Sequence, residues 1–178
     1  MMFVQHYDSP LGGILLAADE LGLTGLWFEE QKYFARGLPA AERMELDTPV
    51  LAEARRWLDV YFAGKEPDFT PPLHPIGSDF RKAVWDILLQ IPYGKTMTYG
   101  EIAGKLAEKI GLSRMSAQAV GGAVGHNPIS LIIPCHRVVG TNGSLTGYAG
   151  GVDRKGKLLE LERADMSGFF VPKKGTAL

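Results

Sequence analysis

The stretch TYGEIAGKLAEKIGLSRMSAQAVGGAVG, residues 98–125, predicts two short helices joined by a turn. Thr98 and Glu101 have the spacing of a capping box, in which both side chains satisfy free backbone N–H groups at a helix start. Apolar residues then recur at helical spacing as far as Gly111, which ends the first helix. A second helix begins after Ser116. Two short helices around a glycine-containing turn indicate a helix-turn-helix.

The second helix of this pair is made of small residues. Between residues 117 and 123, every position except Gln118 and Val120 is Ala or Gly. A helix that reads the major groove needs long polar side chains, and only Gln118 could reach far. A thin helix can instead approach the DNA backbone or enter the minor groove, about 6 Å wide. Close packing against another helix in the core explains the small residues equally well.

The residues before this region predict a small antiparallel sheet followed by one helix. Three short apolar runs, separated by turn residues, have the character of strands. Thr48 and Pro49 have the character of an N-cap and a first helical residue, and Gly64 ends the helix. The predicted strands are Met2–Tyr7, Ile14–Ala18 and Leu23–Phe28.

A proline-rich segment, Pro67–Pro75, is the predicted linker between two domains. The chain length of 178 residues suits one large domain or two small ones. We place the first domain, with the linker, at residues 1–76 and the second at residues 77–178. Ser78 is the expected N-cap of the first helix of the second domain, and Pro92 follows the end of that helix.

Charge is divided unevenly between the two parts of the chain. Residues 1–79 hold 13 acidic and 6 basic side chains, a net charge of −7, whereas residues 80–178 carry +6. A basic second half is a modest indication of nucleic-acid binding. An unevenly charged surface without a partner is the open alternative.

The only cysteine, Cys135, lies in the sequence Pro134-Cys135-His136-Arg137. A nearby histidine or cation raises the thiolate fraction of a thiol, which favours a reactive nucleophile, but a buried cysteine can also be an inert core residue. One cysteine excludes an internal disulfide and a multi-cysteine zinc site, and the four histidines lack metal-ligand spacing. We therefore expect no metal and no cofactor.

Targeting signals are not apparent in the sequence. The N-terminus has no charged segment followed by a long apolar stretch, and no apolar run approaches the length of a membrane span. A reactive free thiol fits a reducing compartment. We expect a cytoplasmic protein with no membrane partner.

The second half of the chain resembles the O6-alkylguanine-DNA alkyltransferase family, also called methylated-DNA–protein-cysteine methyltransferases. The resemblance rests on five motifs within residues 78–164, and Ser9-Pro10-Leu11-Gly12 extends it to the first half. The motifs are Pro92-Tyr93-Gly94, Thr98-Tyr99-Gly100-Glu101-Ile102-Ala103, Ala119-Val120-Gly121, Asn127-Pro128 with Pro134-Cys135-His136-Arg137-Val138, and Gly147-Tyr148-Ala149-Gly150-Gly151.

The resemblance implies an α+β fold. Its N-terminal domain is ribonuclease-H-like, with a small antiparallel sheet and a helix. Its C-terminal domain is mostly helical and winged-helix-like and contains the helix-turn-helix. The implied partner is double-stranded DNA containing O6-alkylguanine, bound through the minor groove with the target nucleotide flipped out of the stack. The protein is expected to act as a monomer.

The implied reaction is an irreversible alkyl transfer to the protein itself. Cys135 attacks the alkyl carbon on guanine O6, His136 takes the thiol proton through a water molecule, and Glu162 orients His136. Each molecule then reacts once, with O4-alkylthymine as a further possible substrate. The resemblance, not the helical pattern, selects Glu162 over Glu160.

Further roles come from the same resemblance. Asn127 bonds the backbone around the cysteine turn, and Tyr99 contacts the flipped base; its place in a first helical turn argues against a core role. Arg137 is expected to form an internal salt bridge. The expected substrate-binding residues are Val124, Val138, Tyr148, Ala149 and Gly150, and the expected DNA-binding residues are Arg114, Ser116, Ala117, Gln118, Ala119 and Gly122.

Two positions depart from the family pattern. Many members have arginine where Gln118 stands, and Gln118 lacks the charge and planar stacking of a guanidinium group. Many members have serine where Ala149 stands, so only the backbone N–H of Ala149 remains to donate to O6. We expect weaker stabilisation of the extrahelical base. A DNA-binding regulator and a cysteine hydrolase are the rival functions, but the first gives Cys135 no task and the second usually has a distant histidine.

Overall fold

Three consecutive strands form most of the N-terminal sheet in the computed structural model, which describes residues 1–38 and 43–172. β1 (Met2–Ser9) pairs antiparallel with β2 (Gly12–Ala18), and β2 pairs antiparallel with β3 (Leu23–Phe28). The segments Ile14–Ala18 and Leu23–Phe28 are buried along their whole length, as expected of continuous apolar runs. The three predicted strands are confirmed.

The sheet has a fourth strand that the sequence pattern does not predict. β4 (Arg43–Glu45) is exposed and pairs parallel with β1, giving the order β3-β2-β1-β4. Its three residues, Arg-Met-Glu, are too few for a recognisable alternation and include no β-branched or aromatic side chain. The sheet is therefore mixed, whereas the sequence predicts a purely antiparallel one.

One helix, α1 (Pro49–Phe62), packs on this sheet. The Thr48 hydroxyl accepts a hydrogen bond from the Leu51 N–H, and Pro49 is the first helical residue, as predicted. The helix ends at Phe62, and Gly64 follows with φ +82°. Its buried face consists of Leu51, Ala54, Trp57, Leu58 and Tyr61.

The outer edge of β3 is covered by two segments from elsewhere in the chain. The Leu23 N–H donates to the Pro72 carbonyl and the His74 N–H donates to the Leu23 carbonyl, so the proline-rich segment pairs with β3 rather than serving as a free linker. Further along the edge, the Leu26 N–H donates to the Pro128 carbonyl. Unpaired strand edges are costly, and these bonds satisfy them.

The chain divides into two compact units. Pro128, which accepts a hydrogen bond from β3, lies in the second half of the chain. Residues Met1–Ile76 and Pro128–Ile132 form the N-terminal unit. Residues Gly77–Asn127 and Ile133–Leu178 form the C-terminal unit. The five residues 128–132 thus belong with the sheet, although the sequence alone places them in the second domain.

The C-terminal unit is built on three helices that pack against one another. These are α2 (Asp79–Leu88), α3 (Tyr99–Ile110) and α4 (Ala117–Gly125). Ser78, Thr98 and Ser116 cap the three helix starts with their hydroxyls, and Gly111, with φ +75°, ends α3. The predicted helix-turn-helix is confirmed as α3 and α4.

The remaining elements of this unit surround the cysteine. β5 (Met97–Thr98) pairs parallel with β6 (Val138–Val139), which directly follows a 3-10 turn at Cys135–Arg137. α5 (Val152–Leu161) packs against that turn. Within the described ranges, no helix is long and apolar enough to cross a membrane.

Candidate active site

Cys135 begins a tight turn that backbone hydrogen bonds hold in shape. Its N–H donates to the Ile133 carbonyl at 2.8 Å, and its own carbonyl accepts from the Val138 N–H. Asn127, just after α4, donates its side-chain amide to the same Ile133 carbonyl at 2.8 Å. Cys135 is only 4% exposed. The Asn127 side chain is therefore hydrogen-bonded to the backbone of the cysteine turn.

His136 and Glu162 form a fully buried pair beside the cysteine. His136 Nε2 lies 2.5 Å from Glu162 Oε2, and both side chains are 0% exposed. Because a carboxylate accepts the hydrogen bond, the proton of the neutral ring is on Nε2, and the lone pair is on Nδ1. Glu160 is exposed on the opposite side of α5. Glu162 is thus the carboxylate that contacts His136.

Arg137 completes a buried network around the same carboxylate. Its Nε donates to Glu162 Oε1 at 2.8 Å, and its Nη1 donates to the Ile91 carbonyl at 2.7 Å. The predicted internal salt bridge of Arg137 is present. Glu162 Oε1 also accepts from the Gly94 N–H at 3.1 Å. Gly94 has φ +75°, a conformation that favours glycine.

The buried charges set the protonation states of the pair. Burial raises the pKa of Glu162, but its hydrogen bonds and electrostatic attraction to His136 and Arg137 outweigh burial and hold that pKa well below its usual range. Burial lowers the pKa of His136, and the positive charges of Arg137 and Lys155 lower it further. Glu162 raises the pKa of His136 but does not compensate, so that pKa lies below its ordinary value. At neutral pH the pair is a neutral imidazole and a carboxylate.

A second cluster lies around the Thr146 carbonyl. Lys155 Nζ donates to that oxygen at 2.8 Å and the Tyr99 hydroxyl donates at 3.2 Å. Tyr99 is buried, which its position in a first helical turn does not predict. Burial raises the pKa of the Tyr99 hydroxyl, and ionisation of Cys135 would raise it further. Tyr99 thus stands within the electrostatic reach of the cysteine.

The loop between β6 and α5 carries most of the expected substrate-binding residues. The Tyr148 ring meets the His136 ring edge-on, with centroids 6.4 Å apart. A Cβ at Gly150 would lie 2.5 Å from the Tyr148 ring, so only glycine fits there. Ala149 is half-buried between them. Val138 and Val124 are buried, and Val124 lies on the inner face of α4.

The expected DNA-binding residues lie on the outer face of the helix-turn-helix. Arg114, Ser116, Ala117, Gln118 and Ala119 are exposed, and the Ser116 hydroxyl caps α4 by accepting from the Ala119 N–H. Gly122 is half-buried, yet a Cβ built on it meets no atom within 4 Å. Internal packing therefore does not require glycine at position 122. Close packing in the core, the other explanation for the small residues of α4, does not apply to this residue.

Sequence reasoning missed Lys155, although a signal was available. Lys155, Leu158, Leu159 and Glu162 are spaced i, i+3, i+4, i+7, the pattern of one buried helix face. A lysine on such a face is rare enough to mark a special environment.

In the part of the chain that the structure describes, no group of three or more His, Cys, Asp or Glu side chains could hold a metal ion.

Comparison with known proteins matches both units to one family. The profile of the "6-O-methylguanine DNA methyltransferase, DNA binding domain" family matches residues 79–164. The profile of the "6-O-methylguanine DNA methyltransferase, ribonuclease-like domain" family matches residues 2–75. Together they span most of the chain.

Similar curated proteins and solved structures carry names from the same family. A methylated-DNA–protein-cysteine methyltransferase of Methanosarcina acetivorans is 45% identical over 90% of this chain and 98% of its own length. The crystal structure of O6-methylguanine methyltransferase from Mycobacterium tuberculosis is 44% identical, with a TM-score of 0.77 over 92% of this chain and 93% of that one. The Mycobacterium tuberculosis OGT structure in complex with DNA is 43% identical, with a TM-score of 0.78 over 91% and 94% of the two chains.

Proposed function

The chain belongs to the 6-O-methylguanine-DNA methyltransferase family, and we propose that it repairs O6-alkylguanine in DNA by moving the alkyl group irreversibly onto its own Cys135. The observation that carries this proposal is the burial of the only cysteine beside the His136–Glu162 pair. A nucleophile, a base and a group that orients the base are the parts that such a transfer needs.

The proton and electron movements follow from the roles proposed for these residues. His136 takes the thiol proton at Nδ1, through a water molecule as the family resemblance implies, and becomes an imidazolium, which the Glu162 carboxylate stabilises through Nε2. The sulfur electron pair forms the new S–C bond. The electron pair of the broken C–O bond stays on guanine O6, and guanine returns to its normal form when a proton is restored. Because a thioether is stable, each protein molecule reacts once.

The exposed face of α4 is the proposed DNA contact. Its small residues, Ala117, Ala119 and Gly122, permit a close approach to the backbone in the minor groove, and the structure of the Mycobacterium tuberculosis relative with DNA supports a DNA partner. We expect weak sequence preference and a strong dependence of affinity on salt. Flipping the target nucleotide costs a few kcal/mol, and less for a lesion that pairs badly.

The residues around Cys135 are the proposed pocket for the flipped base. Tyr148 would form one wall, and the backbone of Ala149 and Gly150 would face guanine O6. Tyr99 would contact the base, and the carbonyls of Val138 and Cys135 would accept from its amino group. The half-buried loop of Ala149 and the nearness of Tyr148 to His136 support this arrangement.

The proposal also covers the division of roles along the chain, the oligomeric state and compartment of the protein, and a second substrate. We propose that the alkyltransferase and DNA-binding roles lie within residues 77–178, with residues 1–76 as the ribonuclease-like domain. The protein would act as a monomer in the cytoplasm, where a free thiol persists. O4-alkylthymine is proposed as a second substrate.

The stoichiometry of lesion repair tests the proposal. A duplex with one O6-methylguanine is incubated with increasing amounts of protein, and the remaining lesion is quantified after the reaction has stopped. Repaired lesion should equal the amount of protein at every dose, and Cys135→Ser should bind the duplex without repairing it. Several repaired lesions for each protein molecule, or repair by Cys135→Ser, would overturn single transfer to Cys135.

A further inference from the structure

The loop between β6 and α5 contains a tight turn. The Gly151 N–H donates to the Tyr148 carbonyl at 3.0 Å, which closes a β-turn over residues 148–151. Gly151 has φ +96° and stands at the N-cap of α5. The two central residues of the turn are Ala149 and Gly150, whose backbone is proposed above to face guanine O6. The shape of this turn therefore sets the direction of their N–H groups.

Arg154, in the first turn of α5, reaches back to the same β-turn. Its Nη1 donates to the Gly150 carbonyl at 3.1 Å. The Gly150 carbonyl and the Gly151 N–H belong to one planar trans peptide group, so they point in opposite directions. Arg154 thus binds one end of this peptide group, and the Tyr148 carbonyl binds the other. Hydrogen bonds at both ends fix its plane.

The two central N–H groups of the turn have no partner within the protein. Among the residues that the structure describes, neither the Ala149 N–H nor the Gly150 N–H donates a hydrogen bond to another group. Many β-turns open at their one backbone hydrogen bond, so a second bond to the same peptide group makes this turn more rigid. Amide donors held in a fixed direction can stabilise negative charge that develops on an oxygen atom.

The position of Arg154 in its helix is unfavourable by itself. A cation in the first turn of a helix lies at the positive end of the helix dipole, where an acidic side chain such as Asp153 is preferred. The start of α5 has no side-chain cap that would offset this end of the dipole. Arg154 is also half-buried. A requirement outside the helix therefore explains an arginine here, and the bond to Gly150 supplies one.

We propose that Arg154 is a positioning residue that holds the turn 148–151 in the shape that presents its two central N–H groups to guanine O6. The proposal deepens the function proposed above and rests on it. In the transfer step the S–C bond forms, the C–O bond breaks, and the electron pair of the C–O bond moves onto O6. Negative charge thus develops on the oxygen that these N–H groups would stabilise. Arg154 keeps its proton and contacts the turn rather than the substrate.

The first experiment separates DNA binding from alkyl transfer. Single-turnover loss of O6-methylguanine is measured over a range of duplex concentrations, which gives the dissociation constant of the duplex and the transfer rate at saturation. Arg154→Met removes the donor to Gly150, whereas Arg154→Lys keeps a charged donor. Lys157→Met is the control, because Lys157 is exposed on the same helix and its loss changes the net charge equally.

The expected result is slower transfer in Arg154→Met at saturating duplex, by about tenfold, because the N–H donors remain but are less well oriented. Its dissociation constant should match that of Lys157→Met, which should transfer at the native rate. Arg154→Lys should restore most of the rate. A native rate at saturation in Arg154→Met, with weaker binding than in Lys157→Met, would overturn the proposal and make Arg154 a DNA contact. Equal decreases in Arg154→Met and Arg154→Lys would also contradict it.

The second experiment examines the turn without DNA. Amide hydrogen exchange of Gly151 is followed by NMR in protein labelled at its glycine nitrogens, in the native chain, Arg154→Met and Lys157→Met. Loss of a hydrogen bond to a charged group should let the turn open more often, so Gly151 should exchange about tenfold faster in Arg154→Met. Lys157→Met should exchange at the native rate. Native exchange of Gly151 in Arg154→Met would refute the role of Arg154 in the turn.

The two experiments distinguish failure of this proposal from failure of the proposed function. A native chain that leaves O6-methylguanine in the duplex would refute the repair function. The exchange of the Gly151 amide would still decide whether Arg154 holds the turn, because that measurement uses no lesion.

Discussion

Two histidine–carboxylate pairs in this protein have the same nitrogen–oxygen distance and different surroundings. In the N-terminal unit, His74 Nδ1 lies 2.5 Å from Asp19 Oδ2, and the two side chains are 37% and 19% exposed. In the C-terminal unit, His136 Nε2 lies 2.5 Å from Glu162 Oε2, and both side chains are 0% exposed. The distance between the partners therefore does not distinguish a structural pair from a chemical one.

The neighbours of the two pairs explain their different roles. Asp19 also accepts from the N–H groups of Leu21 and Gly22, so its pair closes a turn. Burial raises the pKa of Asp19. The two backbone hydrogen bonds and the side-chain hydrogen bond with His74 outweigh burial, so the pKa of Asp19 is lower than its ordinary value. The His136 pair instead adjoins the only cysteine and two further buried cations, Arg137 and Lys155. Because the His136–Glu162 pair is completely buried beside a nucleophile, the His136 imidazole can act as a base.

Replacing the two histidines should give the largest contrast. His136→Gln removes the base and should slow alkyl transfer to Cys135 by about 10²–10⁴-fold, the usual contribution of general-base catalysis. His74→Gln should leave the transfer rate unchanged, because the pair in the N-terminal unit serves a turn. Single-turnover loss of O6-methylguanine from a duplex measures both rates. Comparable decreases in the two variants would contradict the assignment of the base.

Replacing the carboxylates should separate the pairs by stability. Glu162→Gln leaves Arg137 buried without a counter-charge and should lower the free energy of unfolding by about 3–5 kcal/mol. Asp19→Asn breaks a partly exposed pair and should cost no more than about 1 kcal/mol. Glu160→Gln is the control on the same helix and should change stability by less than about 0.5 kcal/mol. Urea unfolding provides these values, and an equal cost for Glu162→Gln and Asp19→Asn would refute the contrast.

The pH dependence of stability should follow the buried pair. The folded-state pKa of His136 lies below its unfolded value of about 6.5, so below that pH the unfolded chain takes up a proton that the native state does not. Stability should then decrease on acidification, by at most about 1.4 kcal/mol per pH unit for this one group. The depressed pKa of Glu162 acts in the same direction, with its contribution lost as the pH falls below about 4.3.

The contribution of His136 is isolated as the difference between native protein and His136→Gln. Urea unfolding of both proteins is compared at several pH values between 7 and 5. The stability advantage of the native protein should shrink as the pH falls below about 6.5. An advantage that grows in that range would mean that His136 is protonated in the folded state, contrary to its role as a neutral base.

Glycine substitutions should give the smallest effects and sharpen the contrast between interior and surface. Gly122 on α4 and Gly156 on α5 are both helical, and a Cβ would meet nothing within 4 Å at Gly122 and only Leu145 at 4.0 Å at Gly156. Alanine at either position should stabilise the protein by up to about 1 kcal/mol through helix propensity. Only Gly122→Ala should weaken DNA binding, by about tenfold, because a methyl group overpacks a close contact. Titration of a labelled duplex measures the affinities, and unchanged binding by Gly122→Ala would remove Gly122 from the DNA contact.

Local signals in the sequence account for most of the elements. Apolar runs bounded by turn residues predict the strands β1–β3. Helix starts depend on neighbouring residues only, and they are marked by the N-caps Thr48, Thr98 and Ser116. The choice of Glu162 over Glu160 came from the family resemblance, although Glu162 also continues the buried-face spacing of Lys155, Leu158 and Leu159. The three exposed residues of β4 are too few, and lack β-branched or aromatic side chains, to predict a strand.

Long-range pairing and burial could not be predicted in the same way. The edge of β3 is satisfied by the segments at Pro72 and Pro128, and proline-rich sequences predict turns and linkers rather than partners for a strand. The spacing within α5 places Lys155 on a buried helix face, but what that face packs against, the cysteine turn, is not visible in the spacing. Such features are set by the assembled unit, because the matching group lies far away in the sequence.

The location of the transferred alkyl group tests the central claim most directly. Protein incubated with a duplex containing O6-methylguanine is digested, and the peptides are analysed by mass spectrometry while the DNA is checked for restored guanine. We predict one methyl group per molecule, on the peptide that contains Cys135, and guanine at the lesion site. Restored guanine with an unmodified Cys135 peptide, or a methyl group on another residue, would contradict it.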